Sequence, residues 1–138
     1  LKPDPEITLT IPSATDKAIS VGAYDTSTDK VASFSGRGFT RENNQIKPDI
    51  VAPGVNIRSA ATGGGTTVLS GTSMATPFVT GSAALMMEWG IVRGNDPYLY
   101  GEKIKAYLIR GAKHLPGYEQ WPNKQAGWGA LCLRDGLV

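Results

Sequence analysis

A run of small residues at positions 71–77 constrains the fold of this chain more than any other feature. The run reads GTSMATP and follows the alternating stretch 66–70, so it lies where a strand passes into a helix. The helix predicted over residues 73–89 combines small side chains with a few apolar ones. Small side chains allow neighbouring elements to pack closely. The sequence therefore predicts a buried central helix that begins at Ser73.

The position of Ser73 is suited to a nucleophile. The first amides of a helix lack intrahelical partners and carry a partial positive charge, so an oxyanion beside Ser73 would meet hydrogen-bond donors. A serine at the end of a strand also projects its oxygen past the edge of the sheet. Pro77 is placed in the first turn, where its missing amide costs little. The alternative is that Ser73 or Thr72 is an ordinary N-cap, which capping preference alone favours.

Short strands and helices are predicted along the rest of the chain. Residues 1–13 are predicted to be extended, with Ile7, Leu9 and Ile11 alternating as in a half-buried strand. The other predicted elements are strands at 18–24, 31–34 and 50–52, a surface loop at 36–47, a hairpin formed by 55–60 and 66–70 across the glycines 63–65, and an amphipathic helix at 102–110.

Several side chains receive structural interpretations. The basic residues of the last helix are predicted to form a solvated face, and three aromatic residues near the C-terminus are predicted to cover the core. His114 is interpreted as a loop or helix-capping residue, and Cys132 as a small buried apolar residue. The basic residues are Lys103, Lys105 and Arg110, and the aromatic ones are Tyr118, Trp121 and Trp128.

Composition agrees with one core and gives no sign of nucleic-acid binding. A chain of 138 residues with 41% hydrophobic content can bury about two-thirds of its unfolded surface. The formal net charge of +2 comes from 14 basic and 12 acidic residues, without a basic run that would follow phosphates. No stretch is long and apolar enough to span a bilayer, and the N-terminus lacks the layout of a signal peptide. The glycines 63–65 lack the lysine of a phosphate-binding loop.

Three blocks of sequence, in this order, resemble the C-terminal part of subtilisin-like serine proteases, the subtilases. They are SFSGRG at 33–38, KPDIVAPGVNI at 47–57 and GTSMATP at 71–77. Residues 11–15 and 18–24 also look like the family's pattern, so the resemblance covers nearly the whole chain. Phe78 is a departure, because many subtilases have histidine after the proline.

The tail of the chain resembles one branch of the family, the clostridial subtilases, including the Csp-type proteases of spore germination. The blocks that carry this likeness are WGIV at 89–92, LYGEK at 99–103, YLIRGA at 107–112 and GWGALCLRD at 127–135.

The resemblance implies an α/β fold, the C-terminal part of a subtilisin-like three-layer fold with a mainly parallel sheet, a hairpin and a buried serine-bearing helix. Residues 1–138 would be the C-terminal portion of a subtilase catalytic domain, an incomplete single domain. A segment cut from a larger sheet leaves apolar faces uncovered. We therefore expect exposed hydrophobic surface or self-association.

The resemblance also implies a serine endopeptidase in which Ser73 is the acyl-transfer nucleophile and its amide is one arm of the oxyanion hole. The family's aspartate and histidine precede the serine, as does its oxyanion asparagine, so all three would lie upstream of Leu1. The implied partners are a peptide or protein substrate and the missing N-terminal part of the catalytic domain. Subtilases often bind calcium, so no cofactor is certain and calcium is possible in the parent protein. The sequence contains no ligand cluster of the D-x-D type, so no calcium site is placed. Secretion is favoured over a spore location.

Two other interpretations stay open. One is an α/β-hydrolase, because Ser73, Asp96 and His114 follow that family's order, although Ala75 replaces the second glycine of its G-x-S-x-G elbow. The other is a non-catalytic subtilase-like protein with a regulatory or binding role, since relatives that have lost triad residues occur. The residues upstream of Leu1 would separate the second interpretation from a protease.

Overall fold

Three strands form the main sheet of the structure, a computed structural model that describes residues 5–137. Strand β1 (Val21–Asp25) pairs antiparallel with β2 (Lys30–Val31) and parallel with β3 (Ile50–Pro53). Residues 129–131 bond to the other edge of β3 and extend the sheet in the parallel sense. The predicted α/β architecture is therefore present, and residues 50–52 are fully buried as predicted.

A separate hairpin leads to the helix that carries Ser73. Strands β4 (Ile57–Ala60) and β5 (Thr66–Leu69) pair antiparallel, which confirms the predicted hairpin. The glycines 63–65 between them all have positive φ, at 84°, 103° and 73°, a conformation that residues with a Cβ rarely adopt. The glycine triplet thus serves the turn of the hairpin.

Three helices follow in the described part of the chain. Helix α1 (Thr72–Met87) continues into a π-helical turn (Glu88–Val92), and α2 (Gly101–Arg110) and α3 (Leu133–Gly136) follow. Helix α1 packs against β1 and β3. The main core consists of Ala23, Ile50, Ala52, Ala75, Val79, Met86, Leu99, Ile104 and Leu108.

The sequence predicts a buried central helix, and one face of α1 is buried in the described part of the chain. The buried residues recur every three or four positions, at Ala75, Val79, Ser82 and Met86, the spacing of residues on one face of a helix. On other faces, Phe78 is 41% exposed and Leu85 is 55% exposed. No described element covers them, so the expectation of exposed hydrophobic surface is confirmed for the described part of the chain.

The N-terminal segment differs from its prediction. Residues 1–4 lie outside the described residues, and 5–13 form no strand. Ile7 has a left-handed φ of 56°, which a strand does not allow, and Ile11 is 93% exposed. The segment is held instead by the amide of Thr8, which donates to the carbonyl of Arg37 at 2.8 Å. The strand predicted at 31–34 is also shorter, because the chain turns at Ser35, whose hydroxyl accepts from the amide of Ala23 at 3.0 Å.

Two lysines that the sequence places in solvent are withdrawn from it, Lys47 almost fully and Lys105 in part. Lys47, predicted to end a surface loop, is 1% exposed. Lys105, predicted to lie on the solvated face of α2, has only 18% of its side chain exposed and pairs with Asp49 at 2.9 Å. Each ammonium lies near a carboxylate and backbone carbonyls, which explains how a charge is accommodated there.

The aromatic cover is confirmed only in part. Tyr118 and Trp121 pack against a second core cluster, formed by Val51, Leu115, Ala126 and Ala130. Trp128 is 36% exposed and does not belong to that cover. His114 lies exposed in a loop, as predicted, and stacks on Trp121 with ring centroids 4.4 Å apart. Cys132 is half-buried rather than buried.

Candidate active site

The base of the hairpin places Ser73 against the main sheet. The amide of Gly71 donates to the carbonyl of Gly54 at 2.8 Å, and the amide of Asn56 donates to the hydroxyl of Ser70 at 2.9 Å. Gly54 follows directly after β3, so these bonds tie the start of α1 to the end of a buried strand. Ser73 therefore takes its position from the core of the protein.

Ser73 is not the N-cap of its helix. The N-cap is Gly71, and no side chain caps this end of α1, so the simple capping interpretation of Thr72 or Ser73 is wrong. Ser73 is the second residue of the helix. Amides this close to the start of a helix have no carbonyl of the preceding turn to which they could donate. The amide of Met74, one residue later, already donates to the carbonyl of Gly71 at 3.0 Å. The amide of Ser73 therefore belongs to the set of donors that a helix offers to an anion.

Pro77 lies deeper in α1 than predicted. The helix begins at Thr72, so Pro77 is its sixth residue and lies inside the helix. Because proline has no amide hydrogen, the carbonyl of Ser73 loses the donor that the residue four positions later normally supplies. Nearby, the hydroxyl of Thr76 donates to the carbonyl of Thr72 at 3.0 Å.

An open groove of about 300 Å³ runs past Ser73. Ser73 is exposed and forms one side of the groove with Thr72 and Thr76. A second depression of about 250 Å³ adjoins it and shares five lining residues with it, namely Thr10, Ser13, Ser20, Val21 and Thr72. The remaining residues of the groove beside Ser73 are Pro12, Ala18 and Ile19. The hydroxyl of Ser73 is thus accessible to a molecule lying along this surface.

The α/β-hydrolase interpretation is wrong. The carboxylate of Asp96 pairs with Lys103 at 2.6 Å and accepts from the hydroxyl of Tyr107 at 3.2 Å. The hydrogen bond from Lys103 holds the pKa of Asp96 below its usual value, as expected for a structural ion pair. His114 stacks on Trp121, and neither Asp96 nor His114 lines the groove beside Ser73.

The described residues present no metal centre and no bilayer-crossing helix. Across 5–137, no group of three or more His, Cys, Asp or Glu side chains is arranged to hold a metal ion. Over the same range, none of the helices is both long enough and apolar enough to traverse a membrane. No metal ligand is therefore assigned.

Replacing Gly54 by alanine tests the link between strand β3 and the serine helix. A Cβ at this position would lie 2.5 Å from the Cβ of Ala23 and 3.0 Å from the carbonyl oxygen of Gly71, so the backbone before Ser73 would have to move. We expect Gly54→Ala to lower the free energy of unfolding by about 1–3 kcal/mol, the usual cost of overpacking. Chemical denaturation measures this change.

Gly101→Ala is the matched control for that measurement. A Cβ on Gly101 meets nothing within 4 Å, and alanine favours a helix over glycine by up to about 1 kcal/mol. Gly101→Ala should therefore leave stability unchanged or raise it. Equal destabilisation by both alanines would contradict the proposed role of Gly54.

Comparisons with known proteins agree on one family. The sequence model of the Subtilase family matches residues 4–129. Among solved structures, the CspB protease of Clostridium perfringens is 49% identical with a TM-score of 0.94, over 99% of this chain and 30% of that chain. The patellamide maturation protease PatA is 33% identical with a TM-score of 0.74, over 91% of this chain and 44% of that chain.

Curated relatives give the same result. Serine protease AprX of Bacillus subtilis is 37% identical over 75% of this chain and 26% of its own length. The membrane-bound transcription factor site-1 protease of Mus musculus is 34% identical over 91% of this chain and 12% of its own length. The chain thus spans about a quarter or less of these curated relatives. The sequence blocks, the fold and these likenesses together show that the chain belongs to the subtilase family of serine peptidases, with a subtilisin-like α/β fold.

Proposed function

We propose that this chain is the nucleophile-bearing, C-terminal portion of a subtilase catalytic domain and that the complete protein is an endopeptidase. One observation carries the proposal: Ser73 lies within GTSMATP as the second residue of α1, exposed in an open groove. A hydroxyl in that position is accessible to a peptide carbonyl and stands beside helix-end amides.

The proposed reaction is acyl transfer. The oxygen of Ser73 bonds to the scissile carbonyl carbon while a histidine accepts the serine proton, and an aspartate orients that histidine. The intermediate then expels the amine, which takes the proton, and leaves an acyl group on Ser73. Water repeats the sequence and releases the acid. The amide of Ser73 donates one hydrogen bond to the developing oxyanion, and an asparagine supplied from upstream is the second donor.

The histidine has to come from polypeptide outside this chain. The sequence holds one histidine, His114, and its ring stacks on Trp121 at 4.4 Å rather than lining the groove. A serine hydroxyl without a base is a weak nucleophile. The isolated chain is therefore expected to be inactive, and the active form contains this chain joined to the upstream part of the domain.

The upstream part has a docking surface on α1. Phe78, Gly81 and Leu85 recur at intervals of three and four residues, so they share one exposed stripe of the helix. Phe78 and Leu85 are large and apolar, and Gly81 leaves open space between them. An exposed apolar stripe with a gap for close approach suits a packing partner. We assign this stripe to the upstream part of the domain.

A charge on the stripe should stop the assembly of the active protein. In the full-length protein, Phe78→Lys is expected to lower peptidase activity by about a hundredfold or more, because a buried unpaired ammonium costs several kcal/mol. Activity against a peptide anilide, measured beside the circular dichroism of the same sample, tests this. Thr28→Lys, in the exposed β1–β2 turn, is the matched control and should retain activity. Full activity of Phe78→Lys would show that the stripe is solvent-exposed in the complete protein.

Hydrolysis by the full-length protein tests the proposed function itself. We expect cleavage of an unfolded protein such as casein and complete inhibition by a serine-directed phosphonate. Cleavage that the phosphonate does not inhibit would contradict a serine mechanism. Absence of both cleavage and labelling would favour the non-catalytic interpretation.

A further inference from the structure

Three charged side chains, two of them almost fully buried, lie behind the groove at positions that the proposed reaction does not use. The side chains of Lys47 and Asp49 are 2% and 3% exposed, and that of Lys105 is 18% exposed. Lys47 and Asp49 precede strand β3, whereas Lys105 comes from the middle of α2. We call these three side chains the ion cluster.

The ion cluster binds one short segment of backbone, residues 16–20. The ammonium of Lys47 donates to the carbonyl of Ala18 at 2.8 Å and to the carboxylate of Asp49 at 2.8 Å. The same carboxylate accepts from the amide of Ser20 at 2.7 Å. The main chain adds a further bond, from the amide of Asp49 to the carbonyl of Ser20 at 2.9 Å.

Lys105 ties the same segment to helix α2. Its ammonium lies 2.9 Å from the second carboxylate oxygen of Asp49. It also donates to the carbonyls of Asp16 at 2.8 Å and Ala18 at 3.3 Å. Segment 16–20 has no helix or strand of its own. These charge-assisted bonds therefore restrain its backbone together with the main-chain bond from Asp49 and the packing of Ile19 against the main core.

Segment 16–20 forms a side of the groove at Ser73. Ala18, Ile19 and Ser20 line the groove together with Thr72 and Ser73. Their backbone is held from behind by the ion cluster, and their front faces the space where a substrate would lie. Burial lowers the pKa of the Lys47 ammonium, which its bond to Asp49 only partly offsets.

We propose that the ion cluster is a substrate-positioning device, in which the tethered ammonium of Lys105 fixes the groove wall formed by residues 16–20. This inference rests on the proposed function, because the groove is taken to hold the substrate beside Ser73. Lys105 is a positioning residue and not a catalytic one, since it acts only through the wall. A wall displaced by about 1 Å costs a bound peptide up to about a hundredfold in reactivity.

Two phosphonates of different size separate this proposal from a purely structural role. A small phosphonofluoridate needs only the nucleophile and its base, whereas a peptidyl phosphonate must also occupy the groove. In the full-length protein, Lys105→Met should slow labelling by the peptidyl phosphonate by about tenfold or more. Labelling by the small reagent should change by less than about twofold. Lys105→Arg, which keeps the charge, should recover most of the peptidyl rate.

Lys103→Met is the matched control on the same helix. Lys103 also pairs with a carboxylate, that of Asp96 at 2.6 Å, but Asp96 lies outside segment 16–20 and outside the groove. The Lys103→Met variant should leave unchanged the ratio of the labelling rate by the peptidyl phosphonate to that by the small reagent. An equal loss for both reagents in Lys105→Met, or no loss for either, would overturn the positioning role. Failure of the small reagent to label the unmodified protein at Ser73 would instead refute the proposed function.

Discussion

Replacement of Ser73 by alanine in the full-length protein is expected to lower kcat by about a millionfold, the loss seen when a triad serine is removed. The reason is that in the proposed mechanism Ser73 supplies the oxygen that forms the acyl bond, and no other group replaces it. Substrate binding should persist, because the groove loses only one hydroxyl. Hydrolysis of a peptide anilide measures kcat. The dissociation constant of a peptide alcohol, which cannot react with a serine, measures substrate binding.

Thr80→Ala is the control for the loss of a hydroxyl from the same helix. The hydroxyl of Thr80 donates to the carbonyl of Thr76 at 3.2 Å and lies outside the groove. We expect this variant to keep its activity within about threefold, because the lost hydroxyl does not line the groove and bonds only to the backbone carbonyl of Thr76. Comparable losses of activity in both variants would mean that Ser73 acts by stabilising the helix and not through its oxygen.

Replacement of Asp49 by alanine is expected to have the largest effect on stability. The carboxylate is almost fully buried and holds the ammonium groups of Lys47 and Lys105 at 2.8 and 2.9 Å. Its removal leaves buried positive charge without a counter-ion, a change that costs about 3–5 kcal/mol. It also leaves the amide of Ser20 without its 2.7 Å acceptor. Guanidinium denaturation of the full-length protein measures the change.

Asp135→Ala is the comparison that makes this prediction specific. Asp135 pairs with Lys113 at 3.4 Å and with Arg134 at 3.1 Å, and 40% of its side chain is exposed. Surface pairs of this kind contribute little to stability, so this variant should denature at nearly the same guanidinium concentration as the parent. If Asp49→Ala and Asp135→Ala lowered the free energy of unfolding equally, the burial of Asp49 would not explain its effect.

The parts of the fold that follow local rules were predictable from the sequence. The hairpin followed from the alternation of 66–70 and from the glycines 63–65, and the helix start followed from the small residues around Ser73. Gly71, however, takes the N-cap position that Ser73 or Thr72 would otherwise fill. The start of the helix is fixed by the bond from Gly71 to Gly54, a contact across 17 residues that local capping rules do not contain.

The features that sequence reasoning missed depend on distant contacts. Lys47 was assigned to a surface loop and Lys105 to a solvated helix face, and neither assignment could foresee that both ammonium groups meet at Asp49. The sequence did contain one indication of their burial, because Lys47 and Asp49 lie just before the apolar residues of β3. Likewise, the small residues around Ser73 predicted helix α1, and the likeness to a segment of a larger sheet predicted exposed apolar surface. Neither could place that surface at Phe78 and Leu85.

The most direct test of the central claim is to label the full-length protein with a fluorophosphonate and locate the adduct by peptide mass mapping. The proposed mechanism predicts one stoichiometric adduct on the oxygen of Ser73, in the peptide that contains GTSMATP, and no adduct in the Ser73→Ala variant. An adduct on another residue, or undiminished labelling of the Ser73→Ala variant, would contradict it.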